Sequence, residues 1–318
     1  MPLQVKDIGS FHVGGGNVTL TGFPPRTMVL TKGAAPRTFP TDGDFETGQM
    51  YAQYVRLADP KARYPLLLWH GGGMTGVTWE SKPDGKPGWQ SWFLHAGHDV
   101  FVSDAMERGR ASWSRFPEIY EDAPHFRSKL ESWELFRIGP PGSYPARQAF
   151  PGMLFPVDRF DQFAKQVVPR WACNDGPTQV GYDALVDKVG PCVIVTHSQG
   201  GNFGYNAALN APSMVKAVVA VEPSGAPDPD GLDLSLLRDV PHLLVLGDNL
   251  DGNPHWQAYL KRVHRYLGAL RDAGGTADVI DLPALGIGGN SHFPMMDSNS
   301  DAVAQLVQDW MTRVGLMR

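Results

Sequence analysis

The stretch CVIVTHSQGGNFGYNAALNA, residues 192–211, carries the reading of the whole chain. Its first half is an unbroken apolar run of strand-forming residues, and its second half has helix-compatible composition. Between them stands Thr196-His197-Ser198-Gln199-Gly200-Gly201. A serine at a sharp strand-to-helix turn has its hydroxyl lifted above the sheet edge, with the next backbone N–H groups aimed into the same space. Gly200 supplies a small residue where helix and strand must approach closely. Thr196 departs from the usual G-x-S-x-G pattern, which has glycine at that position. A serine in a glycine-rich turn is often only a turn residue, so its surroundings must decide.

Outward from this stretch the same rhythm repeats. Short apolar runs occupy 65–70 (PLLLWH), 99–104 (DVFVSD), 216–222 (KAVVAVE), 242–248 (HLLVLGD) and 277–282 (ADVIDL). Continuous apolarity means strands covered on both faces. Amphipathic helices are expected over 255–273, with Tyr259, Val263, Tyr266, Leu267 and Leu270 on one face, and over about 300–314, with Val303, Leu306, Val307 and Trp310. Such alternation predicts an α/β fold, a mostly parallel sheet flanked by helices. Residues 8–56 alternate like β-hairpins. Residues 111–160 carry many aromatics and prolines and no strand signal. They predict a helical cap inserted within a single domain of residues 1–318.

Two further segments complete the chemistry expected of Ser198. His70-Gly71-Gly72-Gly73 ends an early strand. Backbone N–H donors fixed there, together with that of Gln199, would stabilise a developing oxyanion, each worth roughly 10²–10³ in rate. His70 is expected to anchor this loop by hydrogen bonds. His292 follows the last strand and precedes the last helix, where a general base belongs in the order serine, acid, histidine. His95, His98, His125, His255 and His264 are expected as surface residues. Two carboxylates compete to orient His292: Glu222, closing KAVVAVE, and Asp248, closing HLLVLGD. Strand position alone favours Asp248. Met74, Trp79, His197, Phe203, Phe293, Met295 and Met296 flank these stretches, either as an apolar substrate pocket or as core.

Composition excludes other classes. A formal charge of −5 and pI near 6.0 do not suit a nucleic-acid surface. No apolar run has membrane-spanning length, and no metal-ligand spacing occurs, so neither metal nor cofactor is expected. Cys173 and Cys192 permit one disulfide, but Cys192 opens an apolar run, where a buried free thiol is the commoner role. The N-terminal MPLQVKDIGSF has no apolar leader core, which fits a cytoplasmic protein and equally a mature secreted one.

The ordered pattern over residues 48–318 resembles the α/β-hydrolase superfamily, and SDAMERGRAS (103–112) resembles a loop found in many members. More narrowly, the chain is similar to the Alcaligenes-type group of bacterial carboxylesterases. The similarity runs through SFHVGG, the segment from HGGGMTGVTWE to PDGKPGW, THSQGG, AVVAVEPSG and LPALGIGGNSHFPMMD. It implies a serine carboxylesterase acting on a small-molecule ester without a cofactor, and a homodimer. Its triad acid is the glutamate of V-E-P, here Glu222, which reverses the positional preference. Its oxyanion donors map to Gly72 and Gln199, with Gly73 the neighbouring alternative. A Cys-Cys pair in that group is replaced here by Gly72-Gly73, so its substrate range does not carry over. Rival readings are the same triad acting on lactone, amide or carbon–carbon bonds or transferring acyl groups, and a non-catalytic binding module on the same fold.

Overall fold

The computed structural model describes residues 2–318. The apolar runs become strands of one eight-stranded sheet, five of them in its interior and the last, at 277–281, on its edge. In chain order the strands are β1 (Val5–Leu20), β2 (Arg26–Met28), β3 (Arg37–Phe39), β4 (Gly43–Leu57), β5 (Leu66–Trp69), β6 (Val100–Asp104), β7 (Cys192–His197), β8 (Val215–Val221), β9 (His242–Leu246) and β10 (Ala277–Asp281). The sheet order is β1-β4-β6-β5-β7-β8-β9-β10, and β2 and β3 form a separate small hairpin. β1, β4 and β6 pair antiparallel, whereas every pairing from β6 to β10 is parallel.

The helices are α1 (Val77–Glu80), α2 (Trp89–Ala96), α3 (Lys129–Leu135), α4 (Phe160–Ala164), α5 (Asp175–Val189), α6 (Gln199–Asn210), α7 (Pro254–Asp272) and α8 (Ser300–Arg313). The pleat divides the strand residues between two cores. Leu66, Leu68, Val193, Val195, Val219 and Val245 face a layer holding Trp89 and Phe93 of α2 and Val307 and Trp310 of α8. Leu67, Trp69, Ile194, Val218 and Leu244 face Tyr182 of α5, Tyr205 of α6 and Leu267 of α7. Alternate residues thus serve opposite faces, and the sheet is buried between two helical layers, which is why its runs read as continuously apolar.

α7 begins where Pro254 stands at its first turn and the Asn253 side chain accepts from the His255 and Trp256 amides. Its buried stripe is Trp256, Val263, Tyr266, Leu267 and Leu270, while Tyr259 is only half-buried. The expected stripe therefore starts one turn early, at Trp256.

The excursion between β6 and α5 runs from residue 105 to 174, wider than the 111–160 expected. It holds α3, α4 and several short 3₁₀ turns. Its Trp133, Phe136, Ile138, Phe155, Phe160 and Phe163 are buried in one cluster with Phe293, Met295 and the α8 residues. The segment therefore shares the main core on that side of the sheet. Cys173 and Cys192 are both free, and burial pushes the Cys192 thiol up to about 12. His98, expected at the surface, is buried against Gln308 at 2.7 Å. Among the described residues, no helix is long and apolar enough to cross a membrane.

Candidate active site

Ser198 stands between β7 and α6 with φ 52° and ψ −119°, a region costly for a residue with a side chain. Three backbone bonds hold it there: Ser198 N–H donates to Val221 O at 3.1 Å, and Ser198 O accepts from Gly201 N–H at 3.0 Å and Ser224 N–H at 3.1 Å. The side chain stays partly accessible while its preceding neighbours in β7 are buried. Thr196, the departure from the usual motif, is fully buried. A Cβ on Gly204 would come within 2.7 Å of the Thr196 Cγ2 methyl. The helix thus leaves, at Gly204, the room that the strand takes up at Thr196.

Glu222 comes from the end of the neighbouring strand β8, and His292 from the loop after the edge strand β10. Glu222 directly follows β8, also with positive φ (52°), and its N–H donates to Val245 O at 2.9 Å. His292 sits on the loop after β10, its N–H donating to Phe136 O at 3.0 Å and its carbonyl accepting from His197 Nε2 at 2.8 Å. His292 Nδ1 meets Glu222 Oε2 at 3.2 Å, and among the described residues its Nε2 is buried without a partner. The other carboxylate oxygen of Glu222 accepts from Gly247 N–H. The imidazole is walled by Trp256, Phe136, Phe293 and His197, with ring centroids 4.3–5.5 Å away. Burial, then the positive charges of Arg137 and Arg127, holds His292 well below its ordinary pKa. Asp248 is turned elsewhere. Its carboxylate accepts from the amides of Gly289 at 2.7 Å and Asn249 at 2.6 Å, and makes no hydrogen bond to His292.

The glycine loop after β5 lies against the serine turn. A Cβ on Gly71 would fall 2.9 Å from Ser198 Cβ and from His197 Nδ1, so this approach requires glycine. The Gly72 Cα faces the Gln199 side chain, whose Oε1 lies 2.8 Å from where a Cβ would be. Among the described residues, the N–H groups of Gly72, Gly73 and Gln199 donate to no protein acceptor. The loop is pinned through its carbonyls instead: Gly72 O accepts from Arg127 Nη1 at 3.1 Å and Gly73 O from Val168 N–H at 2.9 Å. His70 fixes its base, with Nδ1 donating to Gly71 O at 2.8 Å and Nε2 accepting from Ala105 N–H at 3.0 Å. That pattern needs a neutral ring, and burial lowers the His70 pKa to about 4.

The flanking residues Met74, Trp79, His197, Phe203, Phe293, Met295 and Met296 are all buried, none more than 6% exposed. His197 and Phe293 touch the His292 ring. Trp79 instead packs on Trp89, and Phe203 packs on Tyr182 in the opposite layer. A cavity of about 1000 Å³ is lined in part by Leu135, Arg137, Phe150, Gly247, Asp248 and Tyr259, and Ser198, Glu222 and His292 are not among its lining residues.

Three site residues escaped the sequence reading: Arg137, Arg127 and Trp256. Arg137 did leave a signal, a single charge within the apolar Leu135-Phe136-Arg137-Ile138. It is 1% exposed with φ 55°, and its Nη2 lies 2.8 Å from Glu222 Oε2.

No protein-family profile matches the chain. A probable secreted lipase, phiG, from a fungus (Fungal sp., strain ATCC 74256) is 27% identical over 330 positions, covering 86% of this chain and 89% of the relative. A solved structure described as a novel bacterial esterase superposes with a TM-score of 0.85 at 34% identity, covering 98% of this chain and 97% of that one. Identity and coverage at that level, on a sheet with this order and this strand–serine–helix turn, show the family: the chain belongs to the esterases of the α/β-hydrolase superfamily and is a carboxylic ester hydrolase.

Proposed function

We propose that the ester is cleaved by a Ser198–His292–Glu222 triad through an acyl-enzyme. His292 Nε2 takes the proton of the Ser198 hydroxyl as its oxygen attacks the ester carbonyl. The Gly72 and Gln199 N–H groups receive the oxyanion. His292 then gives that proton to the departing alcohol, and a new C–O bond joins the acyl group to Ser198. Water, deprotonated by the same imidazole, releases the acid and regenerates the hydroxyl. Glu222 holds Nδ1–H and stabilises the imidazolium that forms twice in each cycle.

The observation that carries this reading is the His292–Glu222 contact: Nδ1 is occupied at 3.2 Å while Nε2 has no protein partner. An imidazole engaged on Nδ1 alone, with Nε2 free of a protein partner, supports a role in proton transfer; among the described residues no hydrogen bond joins Ser198 Oγ to that nitrogen, and Ser198 is assigned by its strained turn and the glycine loop against it. Glu222 is favoured over Asp248 as the acid because it alone of the two reaches the ring.

The test is Ser198→Ala assayed on a short p-nitrophenyl ester, alongside labelling of the wild type with a fluorophosphonate. Loss of roughly 10⁴–10⁶ in kcat is expected, with unchanged circular dichroism and with the label mapping to Ser198. Turnover at the wild-type rate, or a label elsewhere, rejects the nucleophile.

A further inference from the structure

We propose that Arg137 is a positioning residue for ester hydrolysis, an arginine from the excursion that pairs with the triad carboxylate, fixes its orientation and sets the pH at which the base becomes active. The inference rests on the Ser198–His292–Glu222 reading and adds a fourth member to it.

Two nitrogens of the guanidinium are engaged, Nη2 in an ion pair and Nε in a hydrogen bond, while among the described residues Nη1 has no partner. Nη2 lies 2.8 Å from Glu222 Oε2, the oxygen that also meets His292 Nδ1. Nε donates to the Asp248 backbone carbonyl at 2.8 Å, so the rival carboxylate's residue serves as an anchor through its main chain. The guanidinium lies over the Trp256 ring, 4.7 Å from its centroid, and that same ring walls His292. Arg137 and Glu222 are each 1% exposed. A buried arginine is costly unless its charge is matched, and here the match is the acid that orients the base. Both members of the pair hold left-handed backbone, φ 55° and 52°, as Ser198 does. Backbone strain held at three residues of one candidate site is a pointer to function.

The pair also explains how His292 can be both charge-assisted and easily deprotonated. A lone glutamate at 3.2 Å would hold the imidazole protonated well above its ordinary range. Burial, and then the charges of Arg137 and Arg127, offset that charge while leaving the hydrogen bond in place. The other charged or titratable groups packed about the ring and its acid are Arg127 before α3, His197 closing β7, and Asp297 on the His292 loop. Asp248, two residues past β9, meets the guanidinium through its backbone carbonyl. His197 is itself held well below its usual pKa by burial, and so is neutral.

The experiment is the pH profile of kcat/KM for wild type, Arg137→Met, Arg137→Lys, Glu222→Gln and the double variant R137M/E222Q on a p-nitrophenyl ester. The neutral imidazole is the active form, so the acid limb reports the His292 pKa. R137M removes the charge paired with Glu222, leaving burial and Arg127: the limb moves to higher pH by about one unit, and kcat falls roughly 10–100-fold with KM little changed. R137K replaces the charge but not the fork; its limb stays near wild type while kcat falls. In the E222Q background R137M costs less than about threefold more, because the arginine acts through the carboxylate. An R137M limb at the wild-type position, or an undiminished loss in the E222Q background, overturns the proposal. If R137M does not fold, R137K decides, and wild-type kcat in that variant overturns it. Wild-type kcat in E222Q instead rejects the triad itself, which separates the two failures.

Discussion

At the scale of the residue, the choice between Glu222 and Asp248 turns on a single backbone torsion and one strand of displacement. Glu222 directly follows β8 and Asp248 lies two residues past β9, both at the C-terminal ends of apolar strands. Glu222 leaves β8 with φ 52°, and its carboxylate reaches His292 Nδ1. The Asp248 carboxylate instead accepts from the Gly289 and Asn249 amides, one on each oxygen. Glu222→Gln is therefore expected to lower kcat by about 10⁴, as an amide in the acid position holds the wrong tautomer of the base. Asp248→Asn should cost far less, acting only through the shape of the 286–291 loop. Measured on the same ester, a larger loss in the Asp248 variant would reverse the assignment. Residue identity alone presented both carboxylates as equals, because an acid at a strand end carries no mark of where its side chain turns.

At the scale of the element, the β7–α6 junction shows how a motif can depart from pattern and keep its geometry. Thr196 is too large for a tight helix–strand contact, yet Gly204, two turns into α6, faces its methyl group. In an open helix, Gly→Ala gains up to about 1 kcal/mol. Gly204→Ala is instead expected to destabilise by about 1–3 kcal/mol through overpacking. Thr196→Ser, which removes the methyl, should restore most of that loss when combined with it. Urea denaturation of both single variants and the double variant gives the coupling, and additive effects would show that the two sites do not compensate. The run CVIV followed by a helix-compatible stretch was enough to place this junction. The pairing of Thr196 with Gly204 was not legible, since it depends on which face of α6 meets the strand. α5 was also missed, because it packs on both β1 and the sheet face and has no sharp apolar stripe.

At the scale of the whole molecule, the excursion between β6 and α5 is built into the same core that carries His292. Phe163 is fully buried between Phe136, Phe155 and Phe293, with ring centroids 5.0–5.9 Å apart. Phe136 in turn stacks on His292, and its carbonyl accepts the His292 N–H. Phe163→Ala is expected to cost about 3–5 kcal/mol. It should lower the midpoint of one cooperative transition, seen alike by tryptophan fluorescence and far-ultraviolet circular dichroism. Non-coincident transitions, with the excursion lost first, would make it an independently folding cap. The aromatic density of 111–160 announced buried surface, but composition could not say whether those rings packed on each other or on the sheet.

The sequence by itself determined the α/β class, the placement of the parallel strands, the serine at its turn, the glycine loop and the histidine before α8. Those features are local: apolar period, turn chemistry and chain order act within a few residues of where they are read. The tertiary structure alone decided which carboxylate meets His292, that Arg137 pairs with it, and that the excursion joins the main core. Each of these depends on side chains distant in sequence converging at one sheet edge, where burial makes an unmatched charge costly and so favours the pairing that matches it. Ser198 was legible from its neighbours in the chain, whereas the groups that would tune its base are neighbours only in space.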